Sequence, residues 1–571
     1  MTGEDNLIAE TGKVELSQMK SDDRGDNVRY FKPPKDIQQT IKLAKILSFR
    51  IFLFLKNKWV GLVNRCVSAN GKQHFISMFC IGLFDFVATT PFSIILILPL
   101  TFGTLFFVLD KRKDTALKSQ LLTLFAFLFG HFTSIFWWFV VPLTADFLHL
   151  FWLTPFALLG LPCLIAGLFM PFFAVGMCLW RKCFLKGKLS FLSNIVLVFI
   201  FLLCWYLGDY VRGHLIFGGF PWMLFGHFVP YSFAIQSVRI FGIDIFSILF
   251  LALVSVPFFL FFKNDKYTKF FSFVIIGFWI LNCIIGMLLL FSAKPKKLNL
   301  NIFAVQANMP ANLYVDEEMA IRTIEKNANM LSALSSVKKP TLMLMPEGSI
   351  NITLDGEDFI SKKLGRIVPN DNSLLLAGGI DTHGVAPYNV IYAINRDGHI
   401  VDMYKKQRLV PFGEYIPFRR FLPRLTRSIT GDTFDFATDG DNDLFVFHKN
   451  LPIIYPIVCY ESIFPDYVKN NIEVSRKRIE EDITAEYAKQ INVKTLKERG
   501  EVIVNLTNDV WMGRSVGAYQ HFLMARFLAV LTDMPVIRVS NNGISAFIDN
   551  YGRVKARTSL NKEDLLLVGK K

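Results

Sequence analysis

The sequence predicts a polytopic α-helical membrane domain joined to an α/β layered domain. Three observations lead there. Hydrophobic residues make up 52% of the 571 and charged residues 19%, with 58 phenylalanines; soluble proteins average about 45–50% apolar and about 25% charged. The apolar excess is confined to one half, because long apolar runs follow one another between about residues 76 and 292. From 293 onward, short apolar strands alternate with polar segments as in an ordinary globular domain.

Residues 1–75 read as a polar, cytoplasmic N-terminal extension. The first 45 carry mixed charge and no basic segment leading into an apolar core, so no cleavable signal peptide is expected. About seven spans fill 76–292, each approaching the roughly 20 apolar residues a membrane helix needs: 76–90, 92–109, 119–142, 151–179, 189–208, 233–262 and 269–292. The first two form a tight pair around Pro91, for which a single re-entrant or tilted element is the alternative. Lys and Arg accumulate on the cytoplasmic side of spans. Lys56, Lys58, Arg65 and Lys72 precede the first span, and DKRKDTALK (110–118), WRKCFLKGK (180–188) and KNDKYTK (263–269) fill alternate connections. The connections at 142–150 and 208–232 hold almost no Lys or Arg. Seven spans with a cytoplasmic N-terminus deliver residue 293 to the outer side. The aromatic and glycine-rich loop YVRGHLIFGGFPWMLFGH (210–227) reads either as an interfacial belt or as a lipid- or substrate-facing loop beneath the soluble domain.

The domain over 293–571 alternates strands and helices, which argues for α/β layers. Strands are expected in 300–309, 341–348, 373–380, 389–398, 451–461, 501–509, 534–543 and 544–552, and helices over 316–337, 357–367, 465–499 and 516–532. Three strand ends bear chemically capable residues: Glu347 in LMLMPEG, Lys405 and Lys406 followed by Glu414 in YKKQRLVPFGEY, and Cys459 in IIYPIVCYE. Ligands of α/β sheets gather where strands end. A thiol needs a base to become the nucleophile, a carboxylate can supply one, and an ammonium can hold the carboxylate and steady an oxyanion. Taken singly, each residue has an ordinary reading: packing for Cys459, a turn acid for Glu347, a solvated basic patch for Lys406, pairing with Arg419 or Arg420 for Glu414.

Other chemistries find less support. Of eight cysteines only Cys459 lies beyond residue 300, so the soluble half has no internal disulfide. CxxC, HExxH and phosphate-loop spacings are missing, and no metal or cofactor is expected. His521 would need a G-x-S-x-G serine to join a hydrolase triad, and none occurs. The net charge of +15 sits at span ends rather than in a stripe among aromatics, so nucleic acid is not an expected partner.

The strings MPEGSI, YKKQRLVPFGEYIPF, VCYESIFPD, NLTNDVWMG and QHFLMARFLAVLTDMPVIRVSNNGISAFID resemble the nitrilase, or carbon–nitrogen hydrolase, superfamily. With GGFPW (218–222), the likeness extends over about 75–555 to one branch, the apolipoprotein N-acyltransferases. It implies an α-β-β-α sandwich, with Glu347 as general base, Lys406 rather than Lys405 as the triad lysine, and Cys459 as the acylated nucleophile. Glu414, Tyr460 and Glu461 take supporting or oxyanion roles, and Trp222 and Trp511 are candidates for substrate contact. The implied reaction moves an acyl chain from a phospholipid to the cysteine as a thioester. The α-amino group of a diacylglyceryl-cysteine apolipoprotein then takes it, at the periplasmic face of a bacterial inner membrane. A monomer is expected. This chain departs from the branch at Ala311, Val315 and Met345, in a charged helix read as inserted over 473–499, and in closing on LLLVGKK with no C-terminal membrane helix expected. The alternatives are a membrane-tethered nitrilase-type amidase using the same triad, and an inactive scaffold.

Overall fold

Backbone amides in hydrocarbon have only one another as partners, so the apolar runs of the first half form helices. The computed structural model describes residues 57–145, 151–185, 193–262, 266–296, 298–310, 317–334, 337–356, 358–417, 419, 435–439, 446, 448, 451–482 and 500–569. Packing divides the chain into Met1–Leu62, whose described residues 57–62 are helical, and Val63–Lys571. Most of the N-terminal extension, Ala311, Val315 and positions 483–499 of the inserted segment lie outside the described residues.

The membrane half comprises α1 (Gly71–Leu83), α2 (Leu98–Lys111), α3 (Leu117–Phe136), α4 (Val140–Ala145), α5 (Leu161–Trp180), α6 (Ser193–Tyr210), α7 (Val238–Phe262) and α8 (Lys266–Ser292). Five helical stretches among the described residues are long and apolar enough to cross a membrane: Leu117–Thr144, Phe151–Cys183, Ser193–Gly218, Val238–Leu260 and Lys266–Ser292. The expected pair around Pro91 differs. α1 and α2 have 13 and 14 residues, extended by 3-10 turns Phe84–Ala88 and Ile95–Ile97, and neither stretch is among those five. Both are anchored to α3. The Asp85 carboxylate after α1 lies 2.7 Å from His131 Nδ1 and accepts from Thr101 Oγ1 at 2.6 Å, all three buried. Polar groups at this depth pair with one another because lipid offers no partner. A Cβ on Gly82 would lie 2.1 Å from the Phe127 carbonyl oxygen, and one on Gly130 2.0 Å from that of Phe79, so glycine lets these two helices touch.

The soluble half contains strands β1 (Asn301–Gln306), β2 (Thr341–Ile350), β3 (Leu374–Asp381), β4 (Tyr388–Ile394), β5 (Ile400–Lys405), β6 (Ile453–Val458), β7 (Glu501–Thr507), β8 (Val536–Ser540), β9 (Ala546–Ile548), β10 (Val554–Arg557) and β11 (Asp564–Val568). Its helices are α9 (Glu317–Ser332), α10 (Phe359–Gly365), α11 (Pro465–Asp482) and α12 (Val516–Thr532). A six-stranded sheet runs β11-β1-β2-β3-β4-β5 and a five-stranded sheet β10-β9-β8-β7-β6, with β1, β2 and β3 mutually parallel and β6, β7 and β8 likewise.

Side-chain alternation assigns the layers. Ile302, Ala304, Leu342, Leu344, Leu374 and Leu376 pack with Ile454, Val502, Val504 and Leu506 between the sheets. Phe303, Val305, Met343, Met345 and Leu375 face the other way, onto Ile324, Ala328 and Leu331 of α9 and Leu364 of α10. α12 contributes Phe522, Ala525, Leu528 and Ala529 to the core of the second sheet. The result is the expected α-β-β-α sandwich. Strands buried on both faces read as continuous apolar runs, which is why they were legible. The closing LLLV was read only as a chain end; it is β11, antiparallel to β1 with Ile302 opposite Val568.

Candidate active site

Three strand ends and one loop converge at the C-terminal edges of the parallel strands. β2 carries Glu347 through an irregularity that its sequence dictates. Pro346 has no amide to give the ladder, Gly348 takes φ +73°, and the β2–β3 register shifts between Met345 and Ile350. β3 accommodates the bulge with Gly378, where a Cβ would lie 2.5 Å from the Glu347 Cα. Freed from the pleat, the Glu347 carboxylate accepts from Asn389 Nδ2 at 2.8 Å and from the Asn508 amide at 2.8 Å, and lies 3.5 Å from Lys406 Nζ.

Lys406 follows β5 and is only 1% exposed. Its ammonium donates to Glu414 Oε1 at 2.7 Å. Lys405 points elsewhere, 3.3 Å from Asp439 and over the Tyr388 ring. Glu414 joins the cluster rather than an arginine: Oε1 also accepts from Asn389 and Oε2 from the Val410 amide at 2.8 Å, while Arg419 pairs with Asp435. Asn389, absent from the sequence reading, thus bridges both carboxylates. Its signal was weak, one asparagine at the head of an apolar strand.

Cys459 ends β6 and opens a 3-10 turn, Cys459–Ile463, at φ +47°. A residue with a Cβ holds the left-handed region only where its surroundings impose it. Glu461 supplies much of that constraint. Its fully buried carboxylate accepts from the Val458 amide at 2.7 Å, the Tyr404 hydroxyl at 2.9 Å, and the Gln407 and Arg408 amides at 2.7 and 3.1 Å. One side chain therefore clamps the Cys459 turn to the segment bearing Lys406. The Glu347 carboxylate and the Thr507 side chain both act on the thiol.

The electrostatics follow from burial. Desolvation pushes the Cys459 thiol well above its ordinary range, and the Glu347 charge adds to this while Lys406 opposes it. Desolvation likewise raises Glu347; Lys406 pulls it down and Glu414 pushes it up. Burial works against the Lys406 ammonium, but Glu414 and Glu347 outweigh it and hold the proton firmly. The resting arrangement is a neutral thiol beside a carboxyl of raised basicity and a permanent cation. Such a set can move a proton from sulfur to carboxylate as the sulfur attacks.

The remaining residues sit further out. Tyr460 donates its hydroxyl to the Gly219 carbonyl at 3.3 Å, and Arg408 donates to that of Gly218 at 3.0 Å. The loop after α6 therefore lies beneath the site. Arg212, paired with Asp209, donates to the Phe220 and Trp222 carbonyls at 3.2 and 2.7 Å and fixes that loop. Trp222, a candidate for substrate contact, is only 2% exposed and packs 5.5 Å from the His521 ring, so it is enclosed in protein. Trp511 is 42% exposed, just past Asn508. Phe217 and Phe412, both exposed and both at positive φ, meet edge to face at 5.9 Å. Among the described residues no group of His, Cys, Asp and Glu is arranged to hold a metal.

Sequence comparison adds to this geometry. The apolipoprotein N-acyltransferase N-terminal domain model matches residues 81–256, and the carbon-nitrogen hydrolase model matches 486–569, a stretch that includes Asn508 but none of Glu347, Lys406 and Cys459. The apolipoprotein N-acyltransferase of Rickettsia typhi is 30% identical over 472 residues, covering 81% of this chain and 85% of that protein. The chain belongs to the apolipoprotein N-acyltransferase family. The Rickettsia bellii apolipoprotein N-acyltransferase is 31% identical over 497 residues, covering 85% of this chain and 89% of its own. Among solved structures, Saccharomyces cerevisiae Nit3, a member of branch 10 of the nitrilase superfamily, covers 48% of this chain and 91% of its own at 14% identity and TM-score 0.33. This member of the acyltransferase family is a multi-pass bacterial membrane protein with a carbon–nitrogen hydrolase half on the same chain.

Proposed function

We propose that this chain transfers an acyl chain from a membrane phospholipid to the N-terminal S-diacylglyceryl-cysteine of apolipoproteins, with Cys459 as the acyl carrier and Glu347 and Lys406 as its partners. The observation that carries the reading is the convergence of Cys459, Glu347 and Lys406 beside a loop of the membrane half. Cys459 Sγ attacks the ester carbonyl of the donor while Glu347 takes the thiol proton. The tetrahedral oxyanion is steadied by the Lys406 charge. The C–O bond then breaks, Glu347 returns the proton to the departing lysophospholipid oxygen, and a thioester remains on sulfur. The acceptor's neutral α-amine attacks that thioester, Glu347 accepts the amine proton, the C–S bond breaks, and the proton passes to the sulfur. The amide product leaves, and thiol and carboxylate are restored. Trp511, Phe217 and Phe412 offer apolar surface to acyl chains approaching from the bilayer. The alternating basic connections support a catalytic half on the periplasmic side of the inner membrane, where a lipid-anchored acceptor would lie.

Intact-mass spectrometry after incubation with phospholipid vesicles tests this. A long-chain acyl adduct is expected on Cys459, lost on hydroxylamine treatment and missing in Cys459→Ala. An unmodified Cys459, with free acid released from small amides, would instead indicate an amidase.

A further inference from the structure

One helix of the soluble half touches both the membrane half and the nucleophile turn, through neighbouring residues. Gln520 lies in the second turn of α12, wholly buried. Its Oε1 accepts from the indole N–H of Trp138 at 3.1 Å and of Trp222 at 2.7 Å, and its Nε2 donates to the Ile135 carbonyl at 3.2 Å. All three partners belong to the membrane half. Both ends of the amide are therefore committed in a place where no water can substitute.

His521 is the next residue, turned about 100° around the helix. Its Nδ1 lies 2.9 Å from Asp509 Oδ1, and its Nε2 lies 3.0 Å from Ser462 Oγ and 3.2 Å from the Cys459 carbonyl oxygen. Ser462 Oγ is itself 2.9 Å from that carbonyl. Asp509 only accepts, which assigns the proton to Nδ1 and leaves Nε2 to accept from the Ser462 hydroxyl. Arg538 holds the other Asp509 oxygen and also reaches Asn505, whose amide approaches the Cys459 carbonyl at 3.4 Å. Serine, histidine and aspartate thus stand in the order of a hydrolase triad, but Ser462 is 1% exposed and no substrate can reach it. The relay ends on Ser462, a residue of the turn that Cys459 opens.

We propose that Gln520 and His521 are positioning residues for Cys459: docking of the membrane half on Gln520 seats α12, and His521, through Ser462, holds the turn that keeps Cys459 in its left-handed conformation. Burial and the neighbouring Arg538 keep the imidazole neutral, as an acceptor from Ser462 requires. The Trp222 ring braces both residues at once, bonded to one and packed against the other. The membrane half then does more than hold the enzyme at the bilayer, because it completes the nucleophile's support.

Since this rests on Cys459 being the acylated group, the test follows two reactions of the same thiol in the full chain. Gln520→Met removes all three bonds at similar volume; Trp138→Phe removes one donor and keeps a ring. For each, iodoacetamide alkylation of Cys459 is followed across pH by peptide mass spectrometry. Acylation is measured with phosphatidylethanolamine–phosphatidylglycerol vesicles at varied lipid concentration. In folded Gln520→Met we expect a displaced alkylation pH profile and at least tenfold slower acylation at saturating lipid, with the half-saturating lipid concentration changed less than twofold. Trp138→Phe is expected to show the same pattern more weakly, and it decides the matter if Gln520→Met does not fold. Folded variants that follow the wild-type pH profile and acylate at the wild-type rate overturn the proposal. A wild type that alkylates but never acylates overturns the acyltransferase reading instead, and the alkylation profiles alone then decide the positioning roles.

Discussion

At the residue scale, the proposed chemistry turns on a shared proton. Glu347 must be ionised to accept it, and burial has raised its pKa. The active, deprotonated form is therefore lost as the pH falls through a value above the usual carboxylate range near 4. Acylation rate against pH should show this acidic limb. Lys406→Met should shift the limb upward, because Lys406 is what pulls Glu347 down and its removal leaves Glu414 to push it up. A limb that stays in place would remove Lys406 from this role. Glu347→Gln should slow acylation by roughly 10²–10⁴-fold, the usual worth of a positioned base, read by stopped-time mass spectrometry. Glu347, Lys406 and Cys459 could be singled out because they stand in or beside recognisable strands within distinctive strings. Asn389, Asp509 and Arg538 could not, since an asparagine, an aspartate or an arginine near a strand says nothing until the fold shows what it faces. His521 was noticed and set aside for lack of a serine elbow; its serine comes from the cysteine's own turn.

At the element scale, a buried ion pair between Asp509, just after β7, and Arg538 of β8 stands behind the contact that His521 of α12 makes with the β6 turn. The Arg538 charge, with the hydrogen bond from His521, overcomes the effect of burial on Asp509 and holds it below its ordinary range. A depressed carboxylate stabilises the fold fully above the unfolded pKa, and that stabilisation is lost as the pH falls through the folded value. Asp509→Asn leaves Arg538 buried without its counter-charge and should cost about 3–5 kcal/mol. Thermal melts should show the penalty at pH 7 and a shrinking difference from wild type on acidification below about pH 4. Equal melts at pH 7 would contradict it. Strands and amphipathic helices of this half were legible from period and length. Short β10 and β11 were not: four and five residues carry too little pattern to separate them from loop. Around Pro91 composition left two spans or one re-entrant element open, because it cannot tell a short helix from a spanning one.

At the scale of the whole molecule, the two halves share buried surface. Gln520 is satisfied by Trp138, Trp222 and Ile135, and Phe527 packs on His227 at 4.7 Å and on Phe246. Residues 293–571 produced alone would expose that face and leave Gln520 without its partners. They should aggregate or fail to acquire an acyl adduct, whereas a soluble, fully acylating fragment would show that the membrane half is dispensable to the chemistry. Sidedness has its own measurement. In intact spheroplasts, a membrane-impermeant maleimide should label Val401→Cys above background and spare Asp114→Cys; the reverse pattern would invert the proposed orientation.

Glu347 and Lys406 come from the six-stranded sheet and Cys459 from the five-stranded one. The atoms proposed to react therefore face each other across the seam of the sandwich, and their separation reads out how far apart the sheets sit. Leu344, Leu376, Val504 and Leu506 are the spacers that set this gauge. Trimming one of them touches no substrate, yet it should detune the proposed acylation like a change in the site itself.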